Sequence, residues 1–189
     1  MADTTLSDVT TLVRYLIEDT STNNLPGDIF VYANSAVFTL TESNVIEVTQ
    51  VLVNDSSLGS GDYSYDVDDN SVQVVSSLSS GDTIEIQYSY YANYSDSIIQ
   101  NYIRSAVIHL SINNYYNFEV VSTGIYPEPS TTEKNLIAMV ASLLINPGNQ
   151  SIRLPDITIN VPNDLPTNTK IAKVINVAKH NTTGIFSLL

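Results

Sequence analysis

Apolar residues Val9, Leu12, Val13, Leu16 and Ile17 recur at the spacing of one helical face, and Thr5 with Asp8 makes a weak capping box in front of them. Polar residues Asp19 to Asn24 and then Leu25-Pro26-Gly27 end that helix. From Asp28 to Tyr91 the period shortens to two, which predicts strands at 29–32, 36–40, 45–54, 63–67, 71–75 and 83–91. In the last of these Ile84, Ile86, Tyr88 and Tyr90 alternate with Glu85, Gln87 and Ser89, as in a sheet with one wet face. The tracts 58–62, 68–70 and 79–82 supply the Gly, Asp, Asn and Ser of turns.

Beyond Tyr91 the helical period returns. Ser95 or Asp96 caps a helix whose wide apolar face holds Ile98, Ile99, Tyr102, Ile103, Ala106, Val107 and Leu110, ending near Asn113-Asn114. A loop with Gly124, Pro127 and Pro129 follows, and then Thr131 or Thr132 caps a helix from Glu133 to Asn146, stopped by Pro147-Gly148. Its run from Leu136 to Ile145 is apolar nearly all round, the mark of a buried centre. Residues 151–166 are apolar, extended and interrupted by Pro155, Pro162 and Pro166, which keeps them out of a central strand and predicts that they dock on something. A short amphipathic helix is expected over 167–179. The pattern divides the chain into an N-terminal helix (1–27), a β-rich insert (28–92), a helical part (93–150) and an extended C-terminal arm with a short helix (151–189). The class is α+β, with the insert an antiparallel β-sandwich or barrel.

With 189 residues there is core enough to fold without metal or disulfide staples, and with no Cys there is no disulfide, thiol nucleophile or cysteine zinc site. Charge changes the picture most. The net is -13, and residues 1–100 hold fifteen acidic groups against one base, Arg14, so this half repels nucleic acid. After Asp164 there are no acids, and Lys170, Lys173 and Lys179 make the tail basic. Charged residues are only 14%, and Ser, Thr and Asn fill the gap, as in many extracellular or virion β-rich proteins. The opening MADTTLSDVTT lacks a basic region followed by an apolar run, so no secretory leader is expected, and the largely apolar stretch 136–145, ten residues long, falls short of the roughly 30 Å bilayer core, which predicts a soluble protein.

Candidate chemistry is sparse. Asp66, Asp68 and Asn70 begin like a calcium loop, but Ser71 and Ser77 stand where Gly and Glu are required, so the tract reads as a hydrated hairpin tip. His109, near a helix end, has no Ser or Asp partner in a recognisable motif and reads as structural. Neither phosphate-cradling glycine motif is present. Tyr88, Tyr90, Tyr91 and Tyr94 are read either as a sugar-binding platform or as a strand face packed on the next helix. Four N-x-[ST] sites are no more than this composition yields by chance.

The helical frame resembles the head-tail connector (adaptor) proteins of tailed bacteriophages. The resemblance lies in S-D-S-I-I-Q-N-Y-I-R-S-A-V-I-H-L (95–110), E-K-N-L-I-A-M-V-A-S-L-L-I-N-P (133–147) and the Leu154-Pro155-Asp156-Ile157 arm with the helix after it. The strands V-L-V-N (51–54), Y-S-Y-D-V (63–67) and G-D-T-I-E-I-Q-Y (81–88) are similar to small β-modules of phage neck and tail proteins, although many adaptors are almost wholly helical and lack such an insert. The resemblance implies a connector frame whose two long helices build a homo-oligomeric ring, a dodecamer, through Ile99, Tyr102, Ile103, Ala106, Leu136, Val140, Leu143 and Leu144. It implies that an arm with Ile152, Arg153, Leu154, Pro155, Asp156, Ile157, Ile159, Lys170 and Lys173 docks on the portal protein, while a tail-side neck or terminator protein binds elsewhere. On this reading the arm is mobile in the isolated chain, and a truncation at Asn146 still folds. The expected place is the head-tail neck of the virion, with synthesis in the host cytoplasm. DNA passes without specific binding, no membrane is involved, and there is no enzyme activity, metal or cofactor. The alternative is a tail or fibre receptor-binding module.

Overall fold

The computed structural model describes residues 5–148, 151–154, 157–160 and 164–180, the side chains of 151–159 and of His180 excepted. Elements are numbered in chain order: α1 (Leu6–Ile17), β1 (Ser21–Val31), β2 (Val37–Thr39), β3 (Val45–Val53), β4 (Ser56–Ser57), β5 (Tyr63–Asp66), β6 (Ser71–Val74), β7 (Thr83–Tyr91), α2 (Asp96–Ile112), β8 (Glu119–Val121), β9 (Gly124–Tyr126), α3 (Thr131–Ile145), β10 (Ser151–Leu154), β11 (Ile157–Asn160) and α4 (Thr167–His180). The fold is mixed α+β with antiparallel sheets. It divides into a helical unit, residues 1–19 and 95–189, and a β unit, residues 20–94, inserted between α1 and α2.

In the helical unit the caps explain where the helices begin. Thr5 accepts from the Asp8 amide at 3.3 Å while Asp8 accepts from the Thr5 amide at 3.0 Å, closing the capping box in front of α1. Ser95 caps α2, accepting from the Ile98 amide. For α3 the cap is Ser130 rather than Thr131 or Thr132. Glu133 stands three residues after Ser130 and returns its carboxylate to the Ser130 amide at 2.7 Å, a reciprocal pair that neither threonine can make with that glutamate. Every residue from Leu136 to Leu143 is buried, because α3 has α1, α2 and α4 packed around it. The loop expected after α2 contains the hairpin β8–β9, which pairs Glu119 with Tyr126.

The β unit holds two sheets, in strand orders β1-β7-β3-β4 and β2-β6-β5. Phe38, Leu40, Val51, Val72, Val74, Ile84, Ile86 and Tyr88, contributed by strands of both, form one buried cluster, so the sheets share a core. Among the described residues no sheet closes into a barrel: β1 ends one sheet and the partner at its far end, β4, is two residues long. β1 starts at Ser21, eight residues ahead of the expected strand, because Ser21 to Asn24 pair with Tyr91 to Tyr88 through main-chain bonds that need no apolar pattern. Leu25-Pro26-Gly27 is therefore a bulge within the strand, set opposite Gln87. Gly27 has φ +116°, and a Cβ there would meet the Ile86 carbonyl oxygen at 2.6 Å, so the position requires glycine.

Candidate functional site

One guanidinium marks where the β unit joins the helical unit. Arg14, in the last turn of α1, donates from Nη1 to Asp19 Oδ2 at 2.6 Å and from Nη2 to Asp96 Oδ1 at 2.6 Å, with Nε reaching the same Asp96 oxygen at 3.2 Å. Asp19 is the last residue before the β unit and Asp96 the second residue after it, so the single base of the first hundred residues ties together the outgoing and returning chain. The Arg14 and Asp19 side chains are buried and that of Asp96 is exposed.

The eight positions expected to form a ring lie largely within the helical unit itself. Ile99, Ile103, Ala106, Leu136, Val140 and Leu143 are buried in the chain's own helical core, and Tyr102 and Leu144 are half-buried. The reason is geometric: three helices surround α3, so its apolar girth is satisfied inside one chain. What α2 presents outward is a second apolar stripe, Ile98, Ile108 and Ile112, 44%, 59% and 69% exposed and confined to one side of the helix. The sequence pattern merges Ile98 into the inner face, and Ile108 and Ile112, ten and fourteen residues further on, are the signal for this outer one.

The C-terminal segment also departs from a free arm. β10 and β11 pair as an antiparallel hairpin beside α1. The side chains of Ile152, Arg153, Leu154, Ile157 and Ile159, and Pro155 and Asp156 altogether, lie outside the described residues. α4 packs on α3 and buries Ile171, Val174 and Ile175 completely, so it completes the helical core. Lys170 is not a surface cation: its side chain is buried and its Nζ donates to the Pro147 carbonyl at 2.6 Å. Lys173 is exposed, and Lys179 donates to the Asn113 carbonyl at the end of α2.

In the β unit the expected hairpin tip is present. Asp66 Oδ1 accepts from the amides of Asp68 and Asp69 at 2.9 and 3.3 Å, and Asn70 donates to the carbonyls of Leu40 and Glu42. Among the described residues no three His, Asp or Glu side chains converge as metal ligands would. Tyr88 is fully buried and faces the second sheet rather than a helix, with the Tyr90 ring edge-on at 6.0 Å. Its hydroxyl donates to Asp28 Oδ2 at 3.0 Å and accepts from the Glu42 amide at 3.1 Å. Asp82, at the turn into β7, accepts from the Ser79 amide and from Asn54 Nδ2, which holds its carboxyl below the ordinary value. His109 lies in the last turn of α2, and its carbonyl accepts from Asn113 Nδ2.

Two open depressions lie among the described residues. One, about 510 Å³, lies past the end of α2 between Ser111, Asn114, Tyr116 and Pro127. The other, about 420 Å³, lies on the outer side of the β2-β6-β5 sheet by Val37, Ser64, Asp66 and Gln73. The first is lined by no His, Asp or Glu; in the second Asp66 lies in register with Ser71, and its Oδ1 is taken by the amides of Asp68 and Asp69. No protein-family model matches the chain, and no curated protein matches it either. The molecule's distinctive features are its surfaces. The most distinctive is the β unit's charge: residues 20–94 carry ten carboxylates and no Lys, Arg or His. No described helix is long and apolar enough to cross a membrane.

Proposed function

We propose that the chain is a structural virion protein, a head-to-tail connector of a tailed bacteriophage whose copies form a ring between the portal and a tail-side neck protein and line the channel for DNA. The observation that carries this reading is the wholly anionic β unit. A channel wall must let a polyanion slide past, and each exposed cation would neutralise a phosphate and hold it. A seventy-five-residue unit without a single cation offers no such foothold.

The order of elements supports the reading: helix, inserted β unit, two long helices, hairpin and closing helix. The subunit contact is assigned to the outward stripe Ile98, Ile108 and Ile112, an apolar surface that a heterologous contact with the next copy would cover, and such contacts close into a ring by rotation. Portal docking is assigned to the β10–β11 hairpin and Lys173, and no longer to Lys170. No step of catalysis and no cofactor belongs to this function.

Negative-stain microscopy and light scattering of the full-length chain, alone and with purified portal rings, test it. Rings of about twelve copies are expected. Slender trimers would replace this function by a receptor-binding fibre module, and a chain that stays monomeric with the portal present would refute the connector reading.

A further inference from the structure

β1 ends the four-stranded sheet, with β7 on one side and no strand on the other among the described residues. Every second residue along such an edge turns its N–H and C=O outward, ready to pair. Proteins blunt long edges with Pro, bulges or Lys, and β1 does so in one place only, at Leu25-Pro26-Gly27. Its second half, Asp28 to Val31, runs in regular register against Ile86 to Thr83 and holds no Lys. There Phe30 packs on the core while Ile29 and Val31, 61% and 67% exposed, stand on the outer face. Glu85 lies in register with Ile29, which puts a carboxylate on that same face. The other sheet ends are shorter: β4 has two residues, β2 three and β5 four.

We propose that the free edge of β1 from Asp28 to Val31 receives an extended, Lys- or Arg-bearing segment of a partner protein as an added strand. Main-chain hydrogen bonds supply the affinity, apolar side chains of the incoming strand lie beside Ile29 and Val31, and its cations, alternating onto the opposite face, meet the field of a unit that has ten carboxylates and no cation. The same field argues against a second copy pairing edge to edge, since that would bring two such units together. This proposal does not depend on the ring.

The test uses the full-length chain and a synthetic peptide of about ten residues alternating Lys and Val, with the Glu/Val peptide of equal length as control. The Lys/Val peptide is expected to bind by fluorescence anisotropy, to weaken as salt rises, and to slow amide exchange within residues 28–32, whereas the Glu/Val peptide does not bind. Replacing both exposed side chains, Ile29→Lys with Val31→Lys, should lower affinity by about tenfold or more with the circular dichroism spectrum unchanged, because the added cations repel the probe. The single Ile29→Lys variant serves if the double variant misfolds. Absence of binding, equal binding of both peptides, an unchanged affinity in the variant, or protection confined to other residues would overturn the proposal. So would protection at 28–32 that grows with protein concentration in the absence of peptide, since that places a second copy on the edge.

Discussion

Tyr88 shows how much one side chain sets in the β unit. Its ring fills the space between two sheets, and its hydroxyl joins Asp28, at the bulge of β1, to the Glu42 amide in the turn before β3. Asp28 is itself held by the Thr41 amide at 2.7 Å and by Asn24 Nδ2 at 3.0 Å, so a buried phenol and a carboxylate fix the geometry of a bent strand. Burial pushes the Tyr88 phenol above its ordinary value of 10.0, and Asp28 adds to the shift while the Glu42 amide opposes it. A pKa raised in the folded state gives stability that is complete below pH 10.0 and is lost as pH rises through the folded value. Urea melts from about pH 8 to pH 12 should therefore show stability falling on the alkaline side. Tyr88→Phe should flatten that fall and lower stability near neutrality by about 1–3 kcal/mol, since it takes one hydrogen-bond partner each from Asp28 and Glu42. Tyr65 and Tyr115 are also pushed up by burial, so the flattening is partial. An alkaline limb identical in wild type and variant would show that Tyr88 does not titrate with unfolding.

Among the elements, α3 and α4 are tied most closely. α3 is a helix that must be covered on every side, and α4 supplies the last side with Ile171, Val174 and Ile175. Fully burying a side chain of this kind contributes roughly 1.5–3 kcal/mol, so three of them are comparable to a large part of a domain's net stability. Val174→Asp should lower the melting temperature sharply, because an isolated carboxylate in that position costs several kcal/mol. A truncation at Asn146 should unfold or aggregate, the reverse of what a dispensable arm predicts. Thermal melts followed by circular dichroism check both, and a truncated chain that melts like the full one would show that α4 is not part of the core.

For the whole molecule the governing quantity is where the charge sits. The net of -13 is concentrated in a β unit with no cation, while the bases lie in the helical unit, where Arg14 and Lys170 are buried. Long-range forces on DNA are therefore repulsive over the β unit at any salt, and screening only weakens the repulsion. A gel shift with the full-length chain and duplex DNA at low salt should show no retarded band. A band that fades as salt rises would mean that phosphates are being neutralised, and it would remove the observation on which the proposed connector function stands.

Much of this was legible in the chain itself. Period two over 28–91 and period 3.6 on either side of it specify the element types, since each is the repeat of a backbone conformation and is written locally. The Thr5-Asp8 box and the all-round apolar run of α3 were readable for the same reason. Tertiary structure decided what each face meets. The Ser21–Asn24 tract is strand only because β7 lies beside it, and Ser130 is the cap only because Glu133 folds back onto it. Lys170 is buried because the Pro147 carbonyl receives its ammonium, a partner twenty-three residues away that no local pattern marks. The two apolar faces of α2 look alike in sequence and part company once α3 covers one of them. Local repeats determine conformation, whereas burial is a property of neighbours brought together across the chain, and so which apolar side chains lie inside and which face outward was the part the sequence alone could not assign.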